Sequence, residues 1–350
     1  MAKNCIGVDI GSSAIKVVQL KQSRGGARTQ LVNFGIEPVP PEAIVDGSMM
    51  NSTDVADAIS SIFRQLKIRS KEVAVAVAGH SVIIKKIGVP SMTPDELDEQ
   101  IHWEAEHHIP FPKSEVEIDY QILDGGGGAN QMEVLLVAAK KEIVTDYSDA
   151  ARQAQLNPCV VDVAAFSLQN CFELAYGKSD ETIALLNVGA SISSLNVVHA
   201  GESQFTRDVT IGGNAFTEEI QKQLNIGYHE AEAYKCGGIA GDEVVPREVD
   251  DILLQQAEVM AGEFQRSFDF YLATTSEGQI DKVYLSGGSA RVPALCEAIQ
   301  SRARLPVELL DPFAAIDINE SEFDMDYVRS QAPMAAIAVG LALRREGDNL

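Results

Sequence analysis

Apolar positions along the first eighty residues come in short strand-like bursts joined by glycine turns. Cys5 to Ile10 is apolar except for Asp9; the chain then turns on Gly11-Ser12-Ser13 and resumes as Ala14 to Leu20 with Lys16 as its early polar position. A third strand follows at 30–36, a helix near 52–66, and a buried strand running into glycine at 73–81. The same order returns in the second half. An apolar strand and a glycine turn occupy 183–198, a third strand 204–211, a helix 248–274, and a buried strand ending in Gly287-Gly288 spans 283–289. Laid over each other, the copies pair Asp9 with Asn187, Gly11 with Gly189, Ser12 with Ala190 and Ser13 with Ser191. Two copies at so long a period predict two related α/β domains and not a solenoid.

Between the copies lies a segment without a counterpart. Thr93-Pro94-Asp95-Glu96 is a helix start, with Thr93 as N-cap, Pro94 at the first helical position and Glu96 placed to complete a capping box. The helix carries Leu97, Ile101 and Ala105 on one stripe and stops at Ile109-Pro110-Phe111-Pro112. Residues 115–123 alternate with Val116, Ile118, Tyr120 and Ile122 on one face, the glycine run 125–128 reads as a hairpin tip, and 133–141 returns. With a helix near 142–155, this predicts a small α+β insert over 81–158. The first domain is then 1–80 with 159–180 and 331–350, and the second is 181–330 with a subdomain at about 214–265.

Composition narrows the class. The 350 residues carry 28 basic and 51 acidic side chains, a net charge of −23 spread along the chain, which argues against a nucleic-acid or anionic-membrane surface. Five widely spaced cysteines without a C-x-x-C read as free, mostly buried thiols in a reducing compartment. Residues 182–201 are uncharged over about a bilayer span, but Asn187, Ser191, Ser193, Ser194 and Asn196 alternate through them as in a β-hairpin. The expectation is a soluble cytoplasmic protein. His107 and His108 are adjacent and share no helix face, so with His102 they do not form a metal site. Trp103 lies off the insert helix's apolar stripe and is either a core residue or a partner anchor.

Facing glycine turns offer backbone amides to one anion from two sides, where a larger side chain would block the approach of a phosphate. Asp9 suits Mg²⁺ held through water, and Lys16 supplies a point charge for a phosphate. Gly287-Gly288 ends a buried strand and leads into a helix near Val292-Pro293, and Gly212-Gly213 repeats that arrangement.

The order of these elements, with 161–168 and 335–343, resembles the nucleotide-binding signature of the actin, heat-shock chaperone and sugar-kinase superfamily over essentially the whole chain. Residues 100–123 (QIHWEAEHHIPFPKSEVEIDYQIL) are similar to the PilM family of type IV pilus assembly proteins, relatives of the cell-division actin FtsA. The resemblance implies a duplicated α/β fold of actin-like (ribonuclease-H-like) type, with a nucleotide cleft between its two domains and the α+β insert as a further subdomain. It implies ATP and Mg²⁺ as cofactors, a role in pilus biogenesis and twitching motility, and a cytoplasmic place at the inner membrane reached only through partners. Those partners are the N-terminal cytoplasmic tail of PilN and, beyond it, other inner-membrane pilus proteins and pilus motor ATPases.

By the same resemblance Asp9, Gly11, Ser12, Ser13 and Lys16 fall on the first phosphate element, and Asn187, Gly189, Ala190 and Ser191 on the second. Asp162 falls on an interdomain connection where relatives orient water. Gly212, Gly213, Gly287, Gly288 and Arg291 fall on the ribose and adenine side, and Glu263 and Arg266 on a helix that flanks the nucleotide in some relatives. Asn187 stands where many hydrolysing relatives carry an acid, which implies slow or absent ATPase activity. A sugar kinase of the superfamily would need that acid and a polar substrate pocket. An FtsA-like cell-division actin would carry an amphipathic membrane helix, where this chain reads LRREGDNL.

Overall fold

The computed structural model describes residues 4–23, 28–123, 130–237, 245–275 and 278–348. In chain order the first half contains β1 (Ile6–Ile10), β2 (Ala14–Gln22), β3 (Thr29–Pro38), a short ribbon of β4 (Ile44–Val45) and β5 (Ser48–Met49), α1 (Ser52–Gln65) and β6 (Glu72–Val77). The insert follows as β7 (Val82–Pro90), α2 (Pro94–Glu106), β8 (Val116–Leu123) and β9 (Gln131–Lys140). The chain returns through α3 (Lys141–Gln153), β10 (Asn157–Val163) and α4 (Ala164–Tyr176). The second half is β11 (Thr182–Val188), β12 (Ser193–His199), β13 (Glu202–Val209), α5 (Asn214–Leu224), α6 (Tyr228–Lys235), α7 (Arg247–Thr274), β14 (Lys282–Ser286), α8 (Pro293–Ala303) and β15 (Val307–Leu309). Last come β16 (Ile316–Asp317), α9 (Met325–Gln331) and α10 (Ala336–Leu341).

The two large sheets have one topology. In the first the order is β10-β6-β1-β2-β3-β16; in the second it is β13-β12-β11-β14-β15. Each has an antiparallel meander of three strands with two further strands added parallel to its first, and in the first sheet β16 adds a sixth strand parallel to β3. The parallel strands are apolar along most of their length, as sheets covered on both faces require. Helices α1 and α3 cover the outer face of the first sheet through Val55, Ile59, Ile143 and Ala150, and α7 and α8 cover the second through Phe264, Phe268, Leu295 and Ile299. Between the sheets lie α4 and α10, whose Leu168, Cys171, Phe172, Ala338 and Val339 share one core with Val18 and Phe34 of the first sheet and Leu185 and Val198 of the second. Gly340 of α10 comes so close to α4 that a Cβ there would collide with the Ser167 carbonyl.

The insert is a three-stranded sheet, β7-β9-β8, covered by α2. Thr93 caps α2 as its sequence requires: its hydroxyl accepts from the Glu96 amide, and the Glu96 carboxylate accepts from the Thr93 amide at 2.8 Å. The alternation over β8 holds through Tyr120 and then shifts, leaving Ile122 exposed while Leu123 packs on the opposite face against Phe166. The glycine run 125–128 lies outside the described residues.

Two sequence-based boundaries need correction. Helix α3 falls in the predicted insert, but its stripe of Ile143, Tyr147, Ala150 and Ala151 completes the first domain's core beside α1, so the insert ends near Lys140. Residues 311–330 fall in the predicted second domain, yet β16 pairs with β3, and Phe313, Ile316 and Val328 pack on Leu31 and Phe34. Apolar residues in both segments are satisfied by first-domain partners distant in sequence.

Candidate functional site

The glycine turns are equivalent in detail. The Gly11 amide donates to the Ala14 carbonyl at 3.2 Å, and the Gly189 amide to the Ile192 carbonyl at 3.0 Å. The two tips meet across the gap between the halves, where the Ser12 and Ser191 hydroxyls lie 2.9 Å apart. The gap is lined by Asp9, Gly11, Ser12, Ser13 and Lys16 from the first half and by Asn187, Gly189, Ala190, Ser191 and Ser194 from the second. Asp9 and Lys16 are cross-strand neighbours, which brings Lys16 Nζ to 3.0 Å from Asp9 Oδ2, both side chains largely shielded from water. Asn187 has Ser194 as its cross-strand neighbour, and its Oδ1 accepts from the Ser286 hydroxyl at 3.2 Å. Tyr147 of α3 closes one wall and donates to the Gly47 carbonyl at 3.1 Å; burial, with Asp9 nearby, pushes its phenol up, so it stays neutral.

Beyond this narrow gap the space widens to a cavity of about 400 Å³ in the second half. Three separated motifs build its floor. The Gly213 amide donates to Gly189 O and the Asn214 amide to Ala190 O, both at 2.8 Å, and the Ser289 hydroxyl donates to Gly189 O at 3.0 Å. Gly212 and Gly287 do not line the cavity; they permit the backbones to touch. A Cβ on Gly212 would lie 2.5 Å from the Ala190 carbonyl, and one on Gly287 (φ +92°) would run into the Val188 backbone. Gly213, Gly288 and Arg291 do line it, and the Arg291 guanidinium donates to Gln331 Oε1 at 3.1 Å.

Sequence reasoning missed Asn214, Glu232, Lys235 and Met334, which also line this cavity. Glu232 and Lys235 stand one helical turn apart on α6. Lys235 Nζ is 2.6 Å from Glu232 Oε2 and donates to Thr217 Oγ1 at 3.0 Å and to Gly213 O at 3.3 Å. The usable signal was an acid and a lysine at i, i+3 directly before the Cys236-Gly237 helix end.

Other predicted positions lie elsewhere. Glu263 and Arg266 pair with each other at 2.5 Å on an outward stretch of α7 and do not line the cavity. Asp162 is not in the gap either. It is buried, accepts from the Ser167 hydroxyl at 2.9 Å and takes a two-pronged bond from Arg344, with Nε at 2.7 Å and Nη2 at 3.0 Å. Among the described residues no group of histidine, cysteine and carboxylate side chains is arranged to hold a metal ion. Asp9 is the one carboxylate among the described residues that line the gap, and a lone carboxylate would suit a hard cation bound mainly by water and phosphate. Of the cysteines, Cys5 and Cys171 are buried, Cys159 and Cys296 partly so, and Cys236 is exposed. Trp103 is 66% exposed, with Lys113 Nζ 4.9 Å above its ring.

A second concavity, of about 300 Å³, separates the insert from the first domain. Its walls are Ile118, Val137, Val144, Val160 and Val161, with the Asp162–Arg344 pair at the base and Glu117, Asp119 and Asp348 at the rim. Strand β8 is an edge of the insert sheet and β10 an edge of the first-domain sheet, so two open strand edges border one apolar groove.

Duplicated sheets, two helices between them and facing glycine hairpins at the cleft define an actin-like fold. Among solved structures of this class the chain is similar to the ethanolamine utilization protein EutJ from Carboxydothermus hydrogenoformans (14% identity, 98% of this chain and 90% of that one, TM-score 0.59). The class also includes MreB5 of Spiroplasma citri, solved bound to AMPPNP (12% identity, 97% and 95%, TM-score 0.51). Within the class, the chain belongs to the type IV pilus assembly protein PilM family, whose family model matches residues 7–346. It is similar to a chain of the PilM-PilN type IV pilus biogenesis complex at 28% identity, covering 98% of this chain and 99% of that one with a TM-score of 0.86. More distant relatives are the cell division proteins FtsA of Enterococcus faecalis (21% identical, 88% of this chain and 78% of that protein) and Bacillus subtilis (22%, 66% of this chain). The match spans 57% of the length of the Bacillus subtilis protein. Among the described residues no helix is long and apolar enough to cross a membrane.

Proposed function

We propose that the cleft binds Mg·ATP and that the groove between insert and first domain holds the extended N-terminal cytoplasmic tail of PilN. The chain would then be a cytoplasmic actin-like platform of type IV pilus assembly, attached to the inner membrane through its partners. One observation carries the nucleotide half: two equivalent glycine hairpins meet tip to tip, with a carboxylate and a lysine paired beside them. The phosphates would lie between the hairpins, where the Ser12 and Ser191 hydroxyls now bond to each other, and the nucleoside would fill the wider cavity beside Arg291, Glu232 and Met334. Asp9 would hold Mg²⁺ through water; the ion's contribution is to neutralise phosphate charge. Lys16, released from Asp9 as the ion arrives, would turn to a phosphate as a point charge.

The groove supports the second half of the reading. Two strand edges with unpaired main-chain groups suit an added peptide strand, its affinity coming from main-chain bonds and its specificity from the valine-lined wall. The similar structure solved as a PilM-PilN complex supports PilN as the partner.

Calorimetry with ATP, with and without Mg²⁺, on wild type and Gly11→Val tests the cleft. Wild type should bind and gain thermal stability by mass action, whereas Gly11→Val should not, because its side chain would displace the Lys16 ammonium and fill the space through which a phosphate approaches the turn amides. Fluorescence anisotropy of a labelled PilN tail on wild type and Ile118→Lys tests the groove. Equal affinity for both proteins would place the tail elsewhere.

A further inference from the structure

Four side chains run in a cross-strand row over the second sheet: Ser286 on β14, Asn187 on β11, Ser194 on β12 and Asp208 on β13. Residues directly opposite one another across a sheet share a face, so the row starts beside the phosphate gap and ends at the sheet's edge. There it leaves the second half. Asp208 Oδ2 accepts from the backbone amide of Gly79 at 2.5 Å, and the Ser194 hydroxyl also bonds to the carboxylate. Gly79 belongs to the first half, at the junction where β6 ends and the chain enters β7 of the insert. One residue past Gly79 and two past Asp208 a second bond crosses, between His80 Nε2 and Thr210 Oγ1 at 2.8 Å. Beside it, Ile192 at the second hairpin tip packs on Gly79, where a Cβ would stand 3.1 Å from its Cδ1 and φ is +89°.

We propose that Asp208 is a positioning residue that clasps the two halves: through the Gly79 amide, its carboxylate holds the cleft closed over nucleotide and fixes the β6–β7 junction from which the insert departs. The proposal rests on the nucleotide reading above. An ionised carboxylate accepting from a backbone amide makes a charge-assisted bond, stronger than a neutral one; burial works against that charge at Asp208, while the Ser194 hydroxyl and the Gly79 amide work for it. It also joins the two elements whose separation would open the cleft. Because the donor is main chain, no side-chain change in the first half removes it, so the control lies with Asp208. Opening the cleft must break this bond, and a nucleotide held inside leaves at a rate that includes the breaking.

The test uses the full chain in three forms, wild type, Asp208→Ala and Asp208→Asn, with two readouts. The first is release of a fluorescent Mg·ATP analogue, chased by excess ATP in stopped flow. The second is hydrogen exchange of the Gly79 amide without nucleotide. Asp208→Ala should release the analogue about ten- to a hundredfold faster, the range for losing a hydrogen bond to a charged group, and should expose the Gly79 amide to exchange. Asp208→Asn keeps an acceptor oxygen and should fall between, a graded order that a general loss of packing would not produce. Release rates within twofold across the three proteins, or Gly79 exchange unchanged in Asp208→Ala, would overturn the proposal. If wild type retains no analogue, the nucleotide reading fails by that result, and closure over nucleotide fails with it. Exchange at Gly79 then decides the clasp between the halves alone.

Discussion

The Ser12 and Ser191 hydroxyls, 179 residues apart in sequence, lie 2.9 Å from each other at equivalent places on two hairpins. They bridge the gap between the halves at the point where the proposed phosphate would enter it. A phosphate bound there would break this bond and gain two hydroxyl donors in return. Ser12→Ala should weaken ATP about threefold to tenfold, since a single neutral hydrogen bond contributes roughly 0.5–1.5 kcal/mol. Titration calorimetry measures it; unchanged affinity would mean that phosphate does not reach the hairpin tips.

Asn187 occupies the second half's equivalent of Asp9 and is neutral. Steady-state phosphate release from wild type should stay well below about 1 s⁻¹, the low end of ordinary enzyme turnover. Asn187→Asp keeps the acceptor for Ser286 and adds a carboxylate. Acid–base help of roughly 10²–10⁴-fold is typical where such a group acts, so the variant should be measurably faster. Wild-type turnover at ordinary rates would overturn the expectation of slow or absent hydrolysis.

Arg344 satisfies a carboxylate that is almost wholly buried, Asp162, with two bonds at 2.7 and 3.0 Å. Removing one partner strands the other charge inside the protein. Arg344→Ala should lose about 3–5 kcal/mol of stability, the range for a broken buried pair, whereas Arg344→Ala with Asp162→Asn should recover part of it. Urea denaturation of the three proteins reads the difference.

The Glu96 carboxylate at the start of α2 is held below its usual range, first by the Thr93 amide and then by the Thr93 hydroxyl. A carboxylate whose folded pKa is lowered adds stability above its unfolded value and loses it as pH falls through the folded one. That stabilisation is thus fully present at pH 7, begins to fall once the pH drops below the ordinary glutamate value of about 4.3, and is lost as the pH passes below the lowered folded value. Thermal midpoints of wild type and Glu96→Gln should separate at pH 7 and converge at pH 3. A difference that persists at pH 3 would mean the carboxylate's charge has no part in capping this helix.

What could be read in advance was local. Period-two alternation and glycine turns mark each meander, and a hairpin with Asp9 two residues before its turn must face Lys16, so the pair follows from spacing alone. Capping of α2 is equally local. The allegiance of α3 was not legible, because its apolar stripe is as compatible with the insert as with α1 until the chain is folded. Asp162 seemed free for chemistry, since nothing near it in sequence announces Arg344 182 positions away. Glu263 and Arg266, named through the resemblance, have the same i, i+3 acid-and-base spacing as Glu232 and Lys235, on a longer helix. Spacing makes an ion pair; only the fold decides which pair looks into a cavity.

Helix α4 closes the first copy of the repeated unit and α10 the second, and the two pack against each other with Gly340 on the Ser167 backbone. A contact in which corresponding elements of two like units meet is the kind a two-fold dimer makes with itself. The arrangement has the form of a two-fold dimer contained in one polypeptide. Asp9 and Lys16 face each other in one copy where Asn187 and Ser194 do in the other, and the first copy alone carries an inserted sheet. The contact between the copies lies at the centre of the molecule, where neither half has a finished interior without the other.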